Sequence, residues 1–204
     1  MDKVVNAVET RKCVGCGNCL SACPVSAISF SHVNGFVYPT IDPQKCICCG
    51  KWDRVCPANG DDAQLSAPID FYAAYVNPDV MHPDSTSGGL CTFASEEVIR
   101  QGGVVFSVLF SDDWTAFYAK AENLDQLKKH VGSKYMQADS NNVQKEIAEQ
   151  LKKGNQVLLI GTPCFVSAVK KYLKINRIDI QNFITIDFLC HGVPSADVAS
   201  SFNR

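Results

Sequence analysis

No run of about 18 or more apolar residues occurs among the 204 residues, so nothing in the chain reads as a membrane span. No block of lysine and arginine marks a nucleic-acid face, and the formal net charge is only -2. Met1 to Thr10 is mixed and polar and lacks the apolar centre of a secretory leader. Nothing therefore points to an oxidising compartment, and a cytoplasmic location is the expectation. The composition is otherwise that of a globular chain of one or two domains, with 46% apolar and 20% charged residues. Partners are expected among redox proteins and small cofactors. One residue type is in excess: eleven cysteines, which in such a chain mean metal or redox chemistry rather than disulfides.

Four of them, Cys13, Cys16, Cys19 and Cys23 followed by Pro24, form a Cys-x2-Cys-x2-Cys-x3-Cys-Pro run. Thiolates two residues apart need a loop tight enough to curl around one small inorganic core, with amides turned towards its sulfurs. Gly15 and Gly17 fill the gaps where a positive φ or close backbone approach excludes a side chain. In two-cluster ferredoxins the fourth cysteine of such a run ligates the other cluster, so a second run is required. It is present with a defect. Cys46, Cys49 and Cys56-Pro57 keep the register, but Trp52 stands in the third ligand position, and an indole has no lone pair for iron.

Position matching assigns a first 4Fe-4S cluster to Cys13, Cys16, Cys19 and Cys56. It leaves a second with Cys23, Cys46 and Cys49, one ligand short. Cys48, between Cys46 and Cys49, offers three outcomes: it swings in as the replacement, a three-iron cluster forms on three thiolates, or the second place is empty or labile. A zinc ribbon would instead pair two separated Cys-x2-Cys knuckles, a spacing that a triple run with a trailing Cys-Pro does not have.

Between the runs, Ile28 to Phe30 and Phe36 to Tyr38 flank Asn34-Gly35, a two-residue hairpin signal. The whole reads as an internally duplicated cluster-binding unit. After a polar linker from Asn59 to Pro68 the texture changes to alternating strands and helices. Strands are predicted at Phe71–Val76, Val104–Phe110, Thr115–Ala121, Gln156–Ile160 and Phe183–Leu189. Helices are predicted at Gly89–Gln101, Asn142–Lys153 and Cys164–Leu173. The expected fold is an α+β ferredoxin-like two-cluster domain over residues 1–62, followed by an α/β sheet domain over 69–204.

Three segments of the second domain sit where open α/β sheets bind ligands, at the carboxyl ends of strands or at helix starts. They are Ser85-Thr86-Ser87-Gly88-Gly89, Gly161-Thr162-Pro163-Cys164 and Cys190-His191-Gly192-Val193-Pro194-Ser195. Each alone is also readable as an ordinary helix cap or strand-to-helix turn. Cys91, inside a helix, reads as core; His32, His82 and His130 read as solvated, and His191 is the histidine with a candidate role.

The order of the Cys-Pro runs, Ser87-Gly88-Gly89, Gly132-Ser133-Lys134-Tyr135, Gly161-Thr162-Pro163-Cys164 and Asp187 to Ser195 resembles the coenzyme F-420 hydrogenase/dehydrogenase beta-subunit family, in the form with a ferredoxin domain in front. The resemblance implies an iron-sulfur flavoprotein oxidoreductase passing electrons between a low-potential, ferredoxin-like donor, its clusters, FAD and a flavin or deazaflavin acceptor. Ser85, Ser87, Gly88 and Gly89, helped by Lys134, would then hold phosphate oxygens. Gly161, Thr162, Pro163 and Cys164 would lie near the isoalloxazine, with Cys164 and His191 as catalytic candidates. The alternative is a ferredoxin-like carrier without its own flavin. Phe165 departs from the family's usual glutamine, and the family continues past the Cys190–Ser195 motif, so an incomplete C-terminal half is expected.

Overall fold

The computed structural model of the chain describes residues 12–59 and 68–195. The leading residues Met1 to Thr10, most of the predicted linker, and the stretch after Ser195 lie outside the described residues. Two sheets are present, a two-stranded one in the cysteine-rich unit and a four-stranded one in the second domain.

The cysteine-rich unit runs α1 (Asn18–Ala22), β1 (Ile28–Val33), β2 (Phe36–Ile41) and α2 (Lys51–Val55). β1 and β2 pair antiparallel from Ile28 opposite Ile41 to Val33 opposite Phe36. Asn34 and Gly35 supply the two positive φ values, 52° and 75°, that a tight hairpin turn demands. The duplication extends to the backbone. Gly17 caps α1 at φ 74° and ψ 2°, and Gly50 caps α2 at φ 67° and ψ 5°. Cys23 and Cys56 end the two helices at the same φ of -71°.

The second domain runs α3 (Leu90–Arg100), β3 (Val104–Phe110), β4 (Ala116–Ala121), α4 (Leu124–Leu127), α5 (Val143–Lys152), β5 (Val157–Gly161), α6 (Pro163–Ile175) and β6 (Phe183–Asp187). The sheet order is β4-β3-β5-β6, with β3, β5 and β6 parallel and β4 antiparallel at one edge. Strand alternation splits the core between the two faces. Val104, Phe106, Val157 and Leu159 pack under α5 and α6 with Val143, Ile147, Val166, Val169 and Leu173. Val105 and Leu158 face Val98 and Leu127 on the side of α3 and α4. Such burial of branched and aromatic side chains is worth roughly 1.5–3 kcal/mol each before chain entropy is subtracted.

Two elements differ from expectation. Residues 71–76 are not a strand: Phe71, Tyr72 and Tyr75 are exposed, and the Val76 amide reaches only the Gly88 carbonyl at 2.8 Å. Apolar composition does not make a strand without a partner edge to pair with. β6 stops at Asp187, short of the predicted Leu189, which is 93% exposed.

The two domains share buried polar contacts. Asn18, fully buried, donates through Nδ2 to the carbonyls of Val55 (2.9 Å) and Ala168 (2.7 Å), tying α1 to both α2 and α6. Lys171 Nζ donates to the Asn59 carbonyl at 2.6 Å. These bonds seat the cysteine-rich unit on the face covered by α5 and α6.

Candidate metal centre

Cys13, Cys16, Cys19 and Cys56 surround one chamber, closed by Ile28, Pro39, Ile41 and the indole of Trp52. The loop holding the first three is left-handed at Gly15 (φ 65°) and Gly17. Its amides turn inward: the N–H groups of Gly15, Asn18 and Leu20 donate to the sulfurs of Cys13, Cys16 and Cys19. Burial pushes the Cys16 and Cys19 thiols up to about 12, with the neighbouring thiols of Cys13 and Cys56 adding to it. Cys13 is raised for the same two reasons. Charging these sulfurs in apolar surroundings requires a cationic partner in their midst.

Among the described residues no three His, Cys, Asp or Glu side chains close on the point a single ion would occupy. Thiols spread around a chamber suit a multi-iron core, whose corners are wider apart than the ligands of one ion. The donor set, the inward amides and the apolar walls all fit a 4Fe-4S cluster.

The second set is arranged differently. Cys23 ends α1 and its sulfur accepts the Ala27 amide at 3.2 Å. Cys46 accepts the amide of Cys48 at 3.4 Å, while Cys48 and Cys49 are exposed. Cys48 takes the place of Gly15 in the repeat and adopts its left-handed backbone at φ 52°. Trp52, the residue matching Cys19, faces the first chamber.

The α/β segments also have definite places. Gly161–Cys164 and Cys190–His191 leave β5 and β6 at the carboxyl edge of the sheet, while Ser85–Gly89 leads into α3. Gly161 pairs with Asp187, putting Cys164 and Cys190 at equivalent steps beyond neighbouring strands. Cys164, Cys190 and His191 are exposed. Tyr118, missed in the sequence, is buried here and stacks on Phe165 with centroids 3.8 Å apart, which accommodates the departure at Phe165. Burial pushes the Tyr118 phenol well above its ordinary range, with Cys164 and Cys190 near enough to add to it. A Cβ at Gly161 would collide with the Tyr118 hydroxyl.

The residues read as a phosphate cradle largely have internal partners. Lys134 Nζ donates to the carbonyls of His130 (2.7 Å), Val131 (2.8 Å) and Gly132 (2.9 Å), which uses all three ammonium protons. A Cβ at Gly88 would press on the Ala74 carbonyl, and one at Gly89 on Met81. Thr86 meets Ser133 at 3.1 Å, which joins the two motifs. Ser85 is the exception, its buried hydroxyl having no partner among the described residues. His130 is a correction: it is buried, with Nδ1 2.9 Å from the Ser107 hydroxyl, and burial lowers it to about 4.

Sequence reading also missed Gln137, Ser140 and Gln144. Gln144 is fully buried and donates to the Cys16 carbonyl, and Gln137 accepts the Val37 amide at 3.1 Å. The signal for Gln144 was its place four and seven residues before Ala148 and Leu151 on the buried stripe of α5.

Fold and site define an iron-sulfur protein with a ferredoxin-like domain seated on an α/β sheet. Residues 12–59 match the 4Fe-4S dicluster domain family, and residues 154–204 match the family defined by the C terminus of the coenzyme F-420 hydrogenase/dehydrogenase beta subunit. The second match begins just before β5, inside the sheet. Among solved structures, the chain resembles one from the xenon-derivatised F-420-reducing NiFe hydrogenase complex of Methanosarcina barkeri, at 20% identity and a TM-score of 0.48. That likeness covers 58% of this chain and 43% of the other, so this chain spans less than half of that protein's length. No curated protein matches. No helix among the described residues is long and apolar enough to cross a membrane.

Proposed function

We propose that this protein is an iron-sulfur electron-transfer component of an oxidoreductase, with a 4Fe-4S cluster held by Cys13, Cys16, Cys19 and Cys56. The observation carrying this is the meeting of four thiols from both ends of the cysteine-rich unit around one apolar chamber. A cluster there supplies reversible one-electron storage. The chain's own part is to orient four sulfurs, donate amides to them, and keep water out with Trp52, Ile28 and Ile41. Cys23, Cys46 and Cys49 are proposed as the remains of a second site, with Cys48 the residue that could complete it. The family match over residues 154–204 agrees with a redox protein as partner.

The second reading adds a flavin, making the chain an iron-sulfur flavoprotein that exchanges a hydride or electron pair with a flavin or deazaflavin acceptor. The orphaned Ser85 hydroxyl favours it, being a buried donor waiting for an acceptor. Lys134 does not fit the phosphate role, since its protons are committed, and no step is derived through the flavin. Purification without oxygen separates the readings. Iron with acid-labile sulfide and no flavin supports the carrier, and yellow flavin released on denaturation supports the flavoprotein. Zinc without sulfide overturns both.

A further inference from the structure

A second cleft, of about 380 Å³, opens between α2 and the end of α6, with Ser21, Tyr172 and Asn176 in its wall and Lys51, Arg54 and Arg177 around it. The three cations are exposed, and none of their charged groups makes an ion pair or side-chain hydrogen bond among the described residues. No carboxylate lines the cleft. Asp53, on α2, is held by Asn59 Nδ2 at 2.6 Å, and Glu149, on α5, lies near Tyr172.

Helix ends account for part of this pattern. Arg54 in the last turn of α2 and Arg177 just past α6 sit where cations offset a helix dipole. Lys51 does not: it opens α2, where a positive charge is unfavourable. The helix dipole therefore does not account for it. The cleft also shares a wall with the chamber. On α2, Lys51 and Arg54 face the cleft, while Trp52 faces the chamber and Cys56 follows the helix into it. A body seated in the cleft is separated from the chamber by about one helix diameter, ~10 Å.

We propose that this basic cleft is the docking surface for a small acidic electron-carrier protein, which passes single electrons to the cluster through α2. The proposal rests on the iron-sulfur reading above. In the step, the reduced carrier loses one electron and the oxidised cluster gains it, with no bond made or broken. Exposed cations spread round a rim steer and orient a protein of opposite charge. A small anion would instead need converging buried donors, and the cations here are exposed.

The test measures reduction of the intact, iron-loaded protein by a photoreduced acidic two-cluster ferredoxin over a range of salt. The comparison is with the triple variant Lys51→Glu, Arg54→Glu, Arg177→Glu and with the single variant Lys51→Glu. The wild-type rate should fall as salt rises. The triple variant should be at least ~10-fold slower at low salt with the salt dependence gone, and the single variant intermediate. Iron content, melting temperature and direct reduction by dithionite should be unchanged. Unaltered rate and salt slope in a folded triple variant overturn the proposal. So does inorganic pyrophosphate protecting the wild type but not the variant from heat while electron transfer is unaffected. Fluorescence anisotropy of the labelled, oxidised carrier reports docking without using the cluster. Loss of the iron-sulfur reading, seen as absence of labile sulfide, is thus distinguishable from loss of docking.

Discussion

Trp52→Cys tests whether the second half of the duplication is preformed for metal. Superposing the halves in sequence carries Gly15 onto Cys48, Gly17 onto Gly50, Asn18 onto Lys51, Cys19 onto Trp52 and Cys23 onto Cys56. The backbone follows: φ is 65° against 52° at the first pair, and ψ is 115° against 122° at the last. Differences of that size are within the scatter of a regular element, so a thiol at position 52 starts where Cys19 starts. The variant should bind ~8 iron atoms per chain after anaerobic reconstitution where the parent binds ~4. Removing the half-buried indole should also cost roughly 1–3 kcal/mol and open the first chamber to water, making the first cluster bleach faster in air. Iron, labile sulfide and the electron paramagnetic resonance spectrum of the reduced protein provide the readout. A folded variant still holding ~4 iron would refute the reasoning, because matching backbone would then not suffice to build a site. A parent already holding ~8 would show Cys48 serving as the fourth ligand.

Other substitutions probe the rest of the frame. Cys56→Ser should empty the chamber of iron although it lies far in sequence from the first run, whereas Cys49→Ser should leave the ~4 iron of the first cluster in place. Asn18→Ala takes the donor from the Val55 carbonyl at the end of α2 and a second bond from the Ala168 carbonyl, which keeps its place in the α6 ladder, at a total cost of about 1–3 kcal/mol readable as a shift in the urea midpoint. His130 makes stability fall in acid. Its folded value is lowered from 6.5 to about 4, so between those pH values the unfolded chain binds the extra proton. The contribution is complete above pH 6.5 and is lost towards pH 4, with a ceiling of about 3 kcal/mol. Thermal melts of His130→Gln against pH should be flatter over that window, and parallel curves would exclude the mechanism.

What was legible in the sequence was whatever is encoded locally. Cysteine spacing, Asn34-Gly35 and the 3.6-residue stripe of α5 each carry their geometry within a few residues. The failures were decided at a distance. Phe71, Tyr72 and Tyr75 have the composition of a strand but no neighbouring edge to pair with. His130 has charged neighbours in sequence but a buried hydroxyl, Ser107, beside it in space. Lys134 looked free for phosphate because the three carbonyls that take its protons become acceptors only when the turn around Gly132 closes. The cations of the basic cleft come from α2 and the end of α6, segments far apart in the chain that only the docking of the two domains brings together.

The asymmetry of the duplication follows from that docking. In the first half the glycines are demanded twice, by backbone angle and by packing. A Cβ at Gly15 would strike Gln137, and one at Gly17 would strike Ser140, both from the segment leading into α5. Gln144, in the first turn of α5, holds the Cys16 carbonyl. The second turn is open at the matching place, and a Cβ at Gly50 would meet nothing within 4 Å. It is constrained there by angle alone, and a left-handed non-glycine residue costs only about 1–2 kcal/mol. Cys48 can therefore stand where the first half tolerates only glycine, and Trp52 can leave its ligand position to wall the neighbouring chamber. The first turn, packed against Gln137, Ser140 and Gln144, keeps glycine at both places; the second turn, open at Gly50, is the one that carries Cys48 and Trp52.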